Sequence, residues 1–347
     1  MHKQQMTSKE RVLAAFRGEA TDRYPLVNPV SLANVECMQL SKSFFPYAHF
    51  DSLKMASLSA TGHDILKFDT IAPYFGVCNE AAAFGCTIDW GGIDSIPIVK
   101  IGVMETLDRY SEPVNFLDHK YVKTILNAIK IVKQKYENNV AIIGKVVGPL
   151  SLLFQIYGLQ NTLTSLILEP ETVKQVVYAM KDICIKFARA QMEAGADIIT
   201  LSDDGCADHI SSNGYRFFAM EANNAIQHAL AGSTYTVFHL SSVITEKLPF
   251  ILQGGFDAIS FDARNSIEDI AKLTNGSIKL IGCINNPMTL LNGTPSEVIA
   301  AVYHCIESGI NMIAPECAIP CRISNENLLA IYKAVNQYTP RQKKKPL

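Results

Sequence analysis

The chain has 347 residues, 48% of them hydrophobic and 18% charged, with a formal net charge of −2. Such a balance suits a soluble chain with a large buried core, and it lacks the basic footprint of a nucleic-acid binder. No stretch approaches the ~20 uninterrupted apolar residues of a membrane helix, so no membrane insertion is expected.

In chain order, Thr7 or Ser8 caps a first helix that carries Val12, Leu13 and Phe16 on one face and ends at Gly18. This opening is charged and amphipathic, without the apolar core of a secretion signal. The nine cysteines are scattered, which predicts reduced thiols and a cytoplasmic protein. Tyr24-Pro25-Leu26-Val27 reads as a short buried strand. The β-branched run Val140–Val147 forms a strand stopped by Gly148-Pro149. Pro170 opens a long helix that runs to Ala194 and ends at Gly195. Ala196–Leu201 is the next strand, with one charged residue, Asp197, near its start, and Ser211–Ala229 the next helix. Further strands are expected at Tyr235–Leu240, Ala258–Phe261, Ile278–Cys283 and Asn311–Ala314, with helical periodicity between them, as in Ser296–Glu307.

Apolar strands alternating with amphipathic helices predict a parallel sheet packed under helices. The even rhythm, with no glycine-rich dinucleotide fingerprint, favours a closed (β/α)8 TIM barrel with an N-terminal helical extension. One barrel domain over residues 1–340 is expected, followed by a basic tail at 341–347.

In such a barrel the chemistry sits at the C-terminal ends of the strands. There the sequence delivers Asp203 and Asp204, then His239 and Ser241, Asp262, Cys283 and Asn285, and finally Glu316 and Cys317. Imidazole, carboxylate and thiolate are all zinc donors, and a catalytic zinc takes three protein ligands and keeps one position open. His239, Asp262 and Cys317 make up that set. Each also has a structural reading: His239 as a buried hydrogen-bonding group, Asp262 as a helix cap, and Cys283 as a small buried residue.

Several stretches resemble the uroporphyrinogen decarboxylase superfamily. They are SKERVLAAFRGEATDRYP at the start, Val147–Leu152, MEAGADIITLSDD ending in Asp203, and IGCINNP. MIAPECAIP followed by ISNENLLAIYKAV resembles the C-terminal signature of its methylcobalamin:coenzyme M methyltransferase branch. Decarboxylases of the superfamily carry an Arg-Gln-Ala-Gly-Arg segment after the first strand, which holds substrate carboxylates. Val27–Ala33 contains no arginine, so the resemblance points to methyl transfer. That branch uses a His-x-Cys pair and a distant Cys as zinc ligands, with an acidic residue on the intervening strand. The matching positions here are His239, Ser241, Asp262 and Cys317, with a hydroxyl at Ser241 where a thiolate is usual.

The resemblance thus implies methylcobalamin as methyl donor, carried by a separate corrinoid protein. It also implies a small-molecule methyl acceptor, a thiol activated on Zn2+. Asp203 is expected in a catalytic role, and Tyr74, Glu80 and Asn285 around donor and acceptor. Glu80 has the further reading of a helix N-terminal charge. A decarboxylase-like lyase and a metal-free, noncatalytic binding barrel are the alternatives.

Overall fold

A computed structural model describes residues 5–339 of the chain; the expected basic tail lies outside the described residues. Among the described residues nine strands form: β1 (Thr70–Ile71), β2 (Thr87–Asp89), β3 (Ile98–Ile101), β4 (Ala141–Val147), β5 (Ile198–Ser202), β6 (Tyr235–Leu240), β7 (Ala258–Phe261), β8 (Lys279–Ile284) and β9 (Met312–Pro315). Seven make one parallel sheet in the order β1-β4-β5-β6-β7-β8-β9. The remaining stave is the segment at Pro25, Leu26 and Val27. Val27 N donates to Ile313 O at 2.8 Å, Ile313 N to Pro25 O at 2.8 Å, and Asp69 N to Leu26 O at 2.7 Å. These bonds tie β9 to the strand leading into β1 and complete the ring, as the alternating pattern predicts.

The first helix, Ser8–Arg17, starts on a Thr7/Glu10 capping box. Its Val12 and Phe16 pack with Ala141, Ile143, Ile198, Val237, Ala258, Ile281 and Met312, closing the N-terminal end of the barrel with apolar side chains. Asp197, the charge at the start of β5, pairs with Lys9 at 2.5 Å and accepts from Ile142 N at 3.0 Å. Beside it, fully buried Asp69 accepts from Arg11, Arg23, Ser8 Oγ and Leu26 N, all at 2.7–2.9 Å. The stave that completes the ring is therefore locked by a hydrogen-bonded carboxylate as well as by packing.

Strand β1 pairs β4 only at Thr70–Ala141 and Ile71–Ile142. Above that point the edge of β4 is satisfied by side chains. Gln191, on helix Pro170–Ala194, accepts from Lys145 N at 2.9 Å and donates to Lys145 O at 2.8 Å. Glu80 accepts from Val147 N at 3.0 Å, so the backbone groups left open by the short strand are all paired.

Three features depart from the sequence reading. Strands β2 and β3 form an antiparallel hairpin outside the barrel; being short and largely exposed, they carry no buried-strand pattern. The helix expected over Ser211–Ala229 is two, Ser212–Phe218 and Met220–Leu230. After β8 the chain makes a π-helical turn, Asn286–Leu291, capped by Asn285 Oδ1 from Met288 N at 2.7 Å.

Candidate functional site

Strand β6 ends in His239, which is completely buried. Its Nδ1 lies 3.1 Å from Ser260 Oγ on β7, in the matching register position. That contact fixes the ring and leaves Nε2 facing the C-terminal mouth. Cys317 Sγ approaches Nε2 to 3.3 Å and Ser241 Oγ to 3.2 Å. Burial works against charge on both partners of the His239–Cys317 pair. Their mutual attraction outweighs it, so the thiol titrates below its ordinary range and the imidazole above its own. Of the nine cysteines, eight are buried and Cys317 alone is partly exposed.

Glu316 sets the position of Cys317. Its carboxylate accepts from Asn286 N at 2.7 Å, Ala263 N at 2.9 Å and Asn285 Nδ2 at 3.3 Å, tying the loop after β9 to the ends of β7 and β8. Asn285 thus braces this loop as well as capping the π-turn. Ser241 is held by Asp204, whose Oδ1 accepts from Ser241 N at 2.8 Å.

Asp203, the expected catalytic acid, is fully buried and enclosed. It accepts from Ser151 N and Oγ at 2.8 Å, Cys206 Sγ at 3.0 Å and Asn223 Nδ2 at 3.1 Å. Burial pushes its carboxyl up despite those contacts. A β-carbon on Gly148 would fall 2.3 Å from Asp203 Cβ, so the glycine after β4 exists to admit this carboxylate. The Asp203 backbone N–H donates to His239 O at 3.3 Å, but its carboxylate stays with Ser151, Cys206 and Asn223; the side-chain link to His239 runs from the neighbouring Asp204 through Ser241. Asp262, expected as a ligand, accepts from Arg264 N at 2.6 Å and Arg264 Nε at 2.7 Å. Cys283 turns to Cys305 on helix Pro295–Glu307, away from the barrel axis; Gly282 before it has φ 143°.

Tyr74 and Glu80 meet directly, Tyr74 Oη donating to Glu80 Oε2, both buried. Burial raises the Glu80 carboxyl, against the pull of its bonds from Tyr74 and Val147 N. Glu80 does lie in the first turn of a helix, Asn79–Phe84, yet its carboxylate reaches across to β4. Over the Tyr74 ring, 4.5 Å from its centroid, sits the ammonium of Lys145. Sequence reasoning missed Lys145. The signal was present: it is the one charge in the apolar strand Ala141–Val147, where a lysine goes only with a reason.

His239 and Cys317 offer an imidazole and a thiolate, both accepted by zinc. The Ser260 bond to Nδ1 is the outer contact a ligating histidine uses to fix its ring. The pair therefore fits a metal as two donors, with Ser241 Oγ against the same nitrogen. Among the described residues no group of three or more His, Cys, Asp and Glu side chains is gathered to hold one. Also among them, no helix is long and apolar enough to cross a membrane.

The family described as "Uroporphyrinogen decarboxylase (URO-D)" matches residues 7–338. A "Methylcobamide:CoM methyltransferase MtbA" of Methanosarcina mazei is 30% identical over 342 residues, covering 96% of this chain and 98% of its own. A "Methylcobamide:CoM methyltransferase MtaA" of Methanosarcina barkeri is 27% identical over 339 residues, covering 96% of this chain and 99% of its own. The solved structure of a "methyltransferase from Methanosarcina mazei" superimposes with a TM-score of 0.91 at 26% identity, covering 96% of this chain and 99% of its own.

Proposed function

The chain belongs to the uroporphyrinogen decarboxylase (URO-D) family, and within it we propose a corrinoid-dependent methyltransferase that moves a methyl group from a methylcobalamin-bearing corrinoid protein to a small thiol. Full-length similarity to methylcobamide:CoM methyltransferases supports the reaction class. The observation that carries the reading is the contact between His239 Nε2 and Cys317 Sγ at 3.3 Å, at the mouth where barrel chemistry occurs.

The chemical obstacle is the nucleophile, since a free thiol with a pKa of ~8.5 is mostly protonated at neutral pH. Zinc, when bound, stabilises the thiolate form of the acceptor. His239 and Cys317 would hold it as two donors; Asp262, the third donor expected from the sequence, is bonded to Arg264. Ser260 keeps the imidazole in the ligating orientation, and Glu316 holds the loop that presents Cys317. Asp204 keeps Ser241 beside the same nitrogen. Asp203 is a positioning residue that joins the ends of β4 and β5, while Tyr74, Glu80 and Asn285 surround the reacting partners. The corrinoid protein docks over the mouth. The hairpin β2–β3 supports that placement: it exposes Ile93, Ile96, Ile98 and Ile101 and is latched by Asp94 to Arg322 in the loop beyond Cys317.

The reading is tested by metal analysis of protein purified without chelator, together with turnover of free methylcobalamin against a panel of thiols. About one zinc per chain, lost in Cys317→Ala, and demethylation of methylcobalamin by at least one thiol are expected. Metal-free protein that demethylates with no thiol overturns it and leaves a noncatalytic barrel.

A further inference from the structure

The chain between helix Asn79–Phe84 and helix Lys120–Tyr136 carries the hairpin β2–β3, which lies outside the barrel sheet. Its strands pair only with each other, at Thr87–Ile101, Ile88–Val99 and Asp89–Ile98, and so short a two-stranded ribbon is marginal without an anchor. The stem has one. The Trp90 ring centroid lies 4.5 Å from that of Tyr121 and 5.8 Å from that of Phe50. Cys78 Sγ donates to Pro97 O at 3.4 Å, and Val103 N and Met104 N both donate to Ile156 O at 2.9 Å. The tip closes on itself, Gly91 N donating to Asp89 Oδ1 at 3.1 Å and Gly92 N to Ser95 Oγ at 2.7 Å.

Among the described residues, the one hydrogen-bonded tie from residues 91–96 to the barrel is to Arg322, whose Nε donates to Asp94 Oδ2 at 3.0 Å and whose Nη2 meets the same oxygen. Arg322 stands in the loop that carries Cys317 after β9. The hairpin thus reaches from the helix after β4, which holds Ile156, to the loop after β9, and bridges the two staves between them. Between tip and loop lies a cavity of about 380 Å³, walled by Ile93 and Asp94 on one side and by Val35, Cys321 and Ile323 on the other. The tip therefore rests on the ion pair rather than on close packing. That pair is exposed, Arg322 at 75% and Asp94 at 35%. Such a pair biases an equilibrium by less than about fivefold, and salt weakens it. On the outward side Ile96, Ile98 and Ile101 are uncovered, so no packed layer holds the hairpin down.

We propose that the hairpin is a strap across one side of the mouth, closed by the Asp94–Arg322 latch, and that release of the latch admits bulky reactants to Cys317 while small ones pass with it shut. The stem stays fixed on Trp90 and the Ile156 bonds, and the tip swings. This rests on the methyl-transfer reading only in naming the reactants: the bulky one is the corrin face of the methyl donor, the small one the acceptor thiol. A latch of this strength opens on thermal motion alone, so the strap selects by size without trapping what has entered. Its foothold on the Cys317 loop places the gate at the residue it screens.

The test needs no methyl transfer. In metal-free protein Cys317 is labelled with iodoacetamide, which is small, and with fluorescein maleimide, which is bulky; peptide-resolved mass spectrometry gives the rate of each. Arg322→Ala and Asp94→Ala should each raise the bulky rate about two- to fivefold and change the iodoacetamide rate by less than about 1.5-fold. The double variant should label no faster than either single one, and the exchanged pair, Asp94→Arg with Arg322→Asp, should return to the wild-type rate. Raising NaCl from about 0.05 M to about 0.5 M should speed bulky labelling of the wild type and leave Arg322→Ala unchanged. Both latch residues are at the surface, so every variant should keep the wild-type Tm. Unchanged bulky rates, equal acceleration of both reagents, additive effects of the two substitutions, or an exchanged pair that stays fast overturns the strap. In turnover, Arg322→Ala should raise kcat/KM for methylcobalamin about two- to fivefold and leave KM for the thiol unchanged. Latch-controlled, size-selective labelling with no thiol methylated would sink the methyl-transfer reading instead, and leave the strap standing.

Discussion

Cys317 Sγ and His239 Nε2, from residues 78 apart in sequence, lie 3.3 Å apart at the barrel mouth. The two groups stabilise each other's charged forms, the thiol lowered and the imidazole raised against the burial of both. A thiol lowered in the fold is ionised over a window below its usual range, and the thiolate is lost as pH falls through the folded value. In metal-free protein, Cys317 should therefore be alkylated by iodoacetamide with a pH midpoint below the ordinary ~8.5. His239→Ala should return the midpoint to that value or above it. The measurement is peptide-resolved mass spectrometry across pH 5–10, and a midpoint that ignores the His239 substitution would count against the pairing.

Ser241 Oγ stands 3.2 Å from the same nitrogen, where a hydroxyl is a far poorer zinc donor than a thiolate. Ser241→Cys should tighten zinc binding by at least about tenfold in competition with a chromophoric chelator. Unchanged affinity would mean that the metal, if held at all, lies elsewhere.

Asp203 joins Ser151, Asn223 and Cys206 through one buried carboxylate. Asp203→Ala strands several buried donors and should cost about 3 kcal/mol or more in urea unfolding. The carboxyl is raised in the fold, so its contribution is fully present below the unfolded value of ~3.9 and declines as pH rises through the folded one. The stability gap between wild type and Asp203→Asn should accordingly be wider at pH 4 than at pH 7. A gap that widens with pH would refute this account.

At the other end of the barrel, Asp69 answers Arg11 and Arg23 with no exposure of its own. Asp69→Ala leaves Arg23 without its carboxylate and deprives Arg11 of one of two, and it frees the stave at Leu26. A loss of about 3–5 kcal/mol is expected by chemical denaturation; less than ~1 kcal/mol would show that packing alone closes the ring.

The architecture was legible because the barrel strands β4 to β9 are apolar runs bounded by glycine, proline and amphipathic helices. Hydrophobic periodicity marks such elements directly. His239 and Cys317 were legible from position, as polar residues directly after buried strands. The contacts of Asp203 and Asp262 were not. Which of two adjacent carboxylates faces Ser241, and whether Arg264 curls back onto Asp262, depends on loop geometry that no periodicity encodes. The outward turn of Cys283 depends on the backbone at Gly282, which breaks the alternation that would have turned the thiol inward. Lys145 could have been found, since a lone lysine in Ala-Ile-Ile-Gly-Lys-Val-Val is a burial anomaly.

The brevity of β1 has a kinetic consequence. Where the other interior strands are zipped to a neighbour on each side, the upper edge of β4 depends on two movable side chains, Gln191 and Glu80. A rotamer change in either releases an amide that elsewhere would need a strand to detach. In native-state hydrogen exchange, the amides of Lys145 and Val147 should trade their protons before those of β5, which is paired on both flanks. The wall behind the buried ammonium is then the seam at which the barrel breathes.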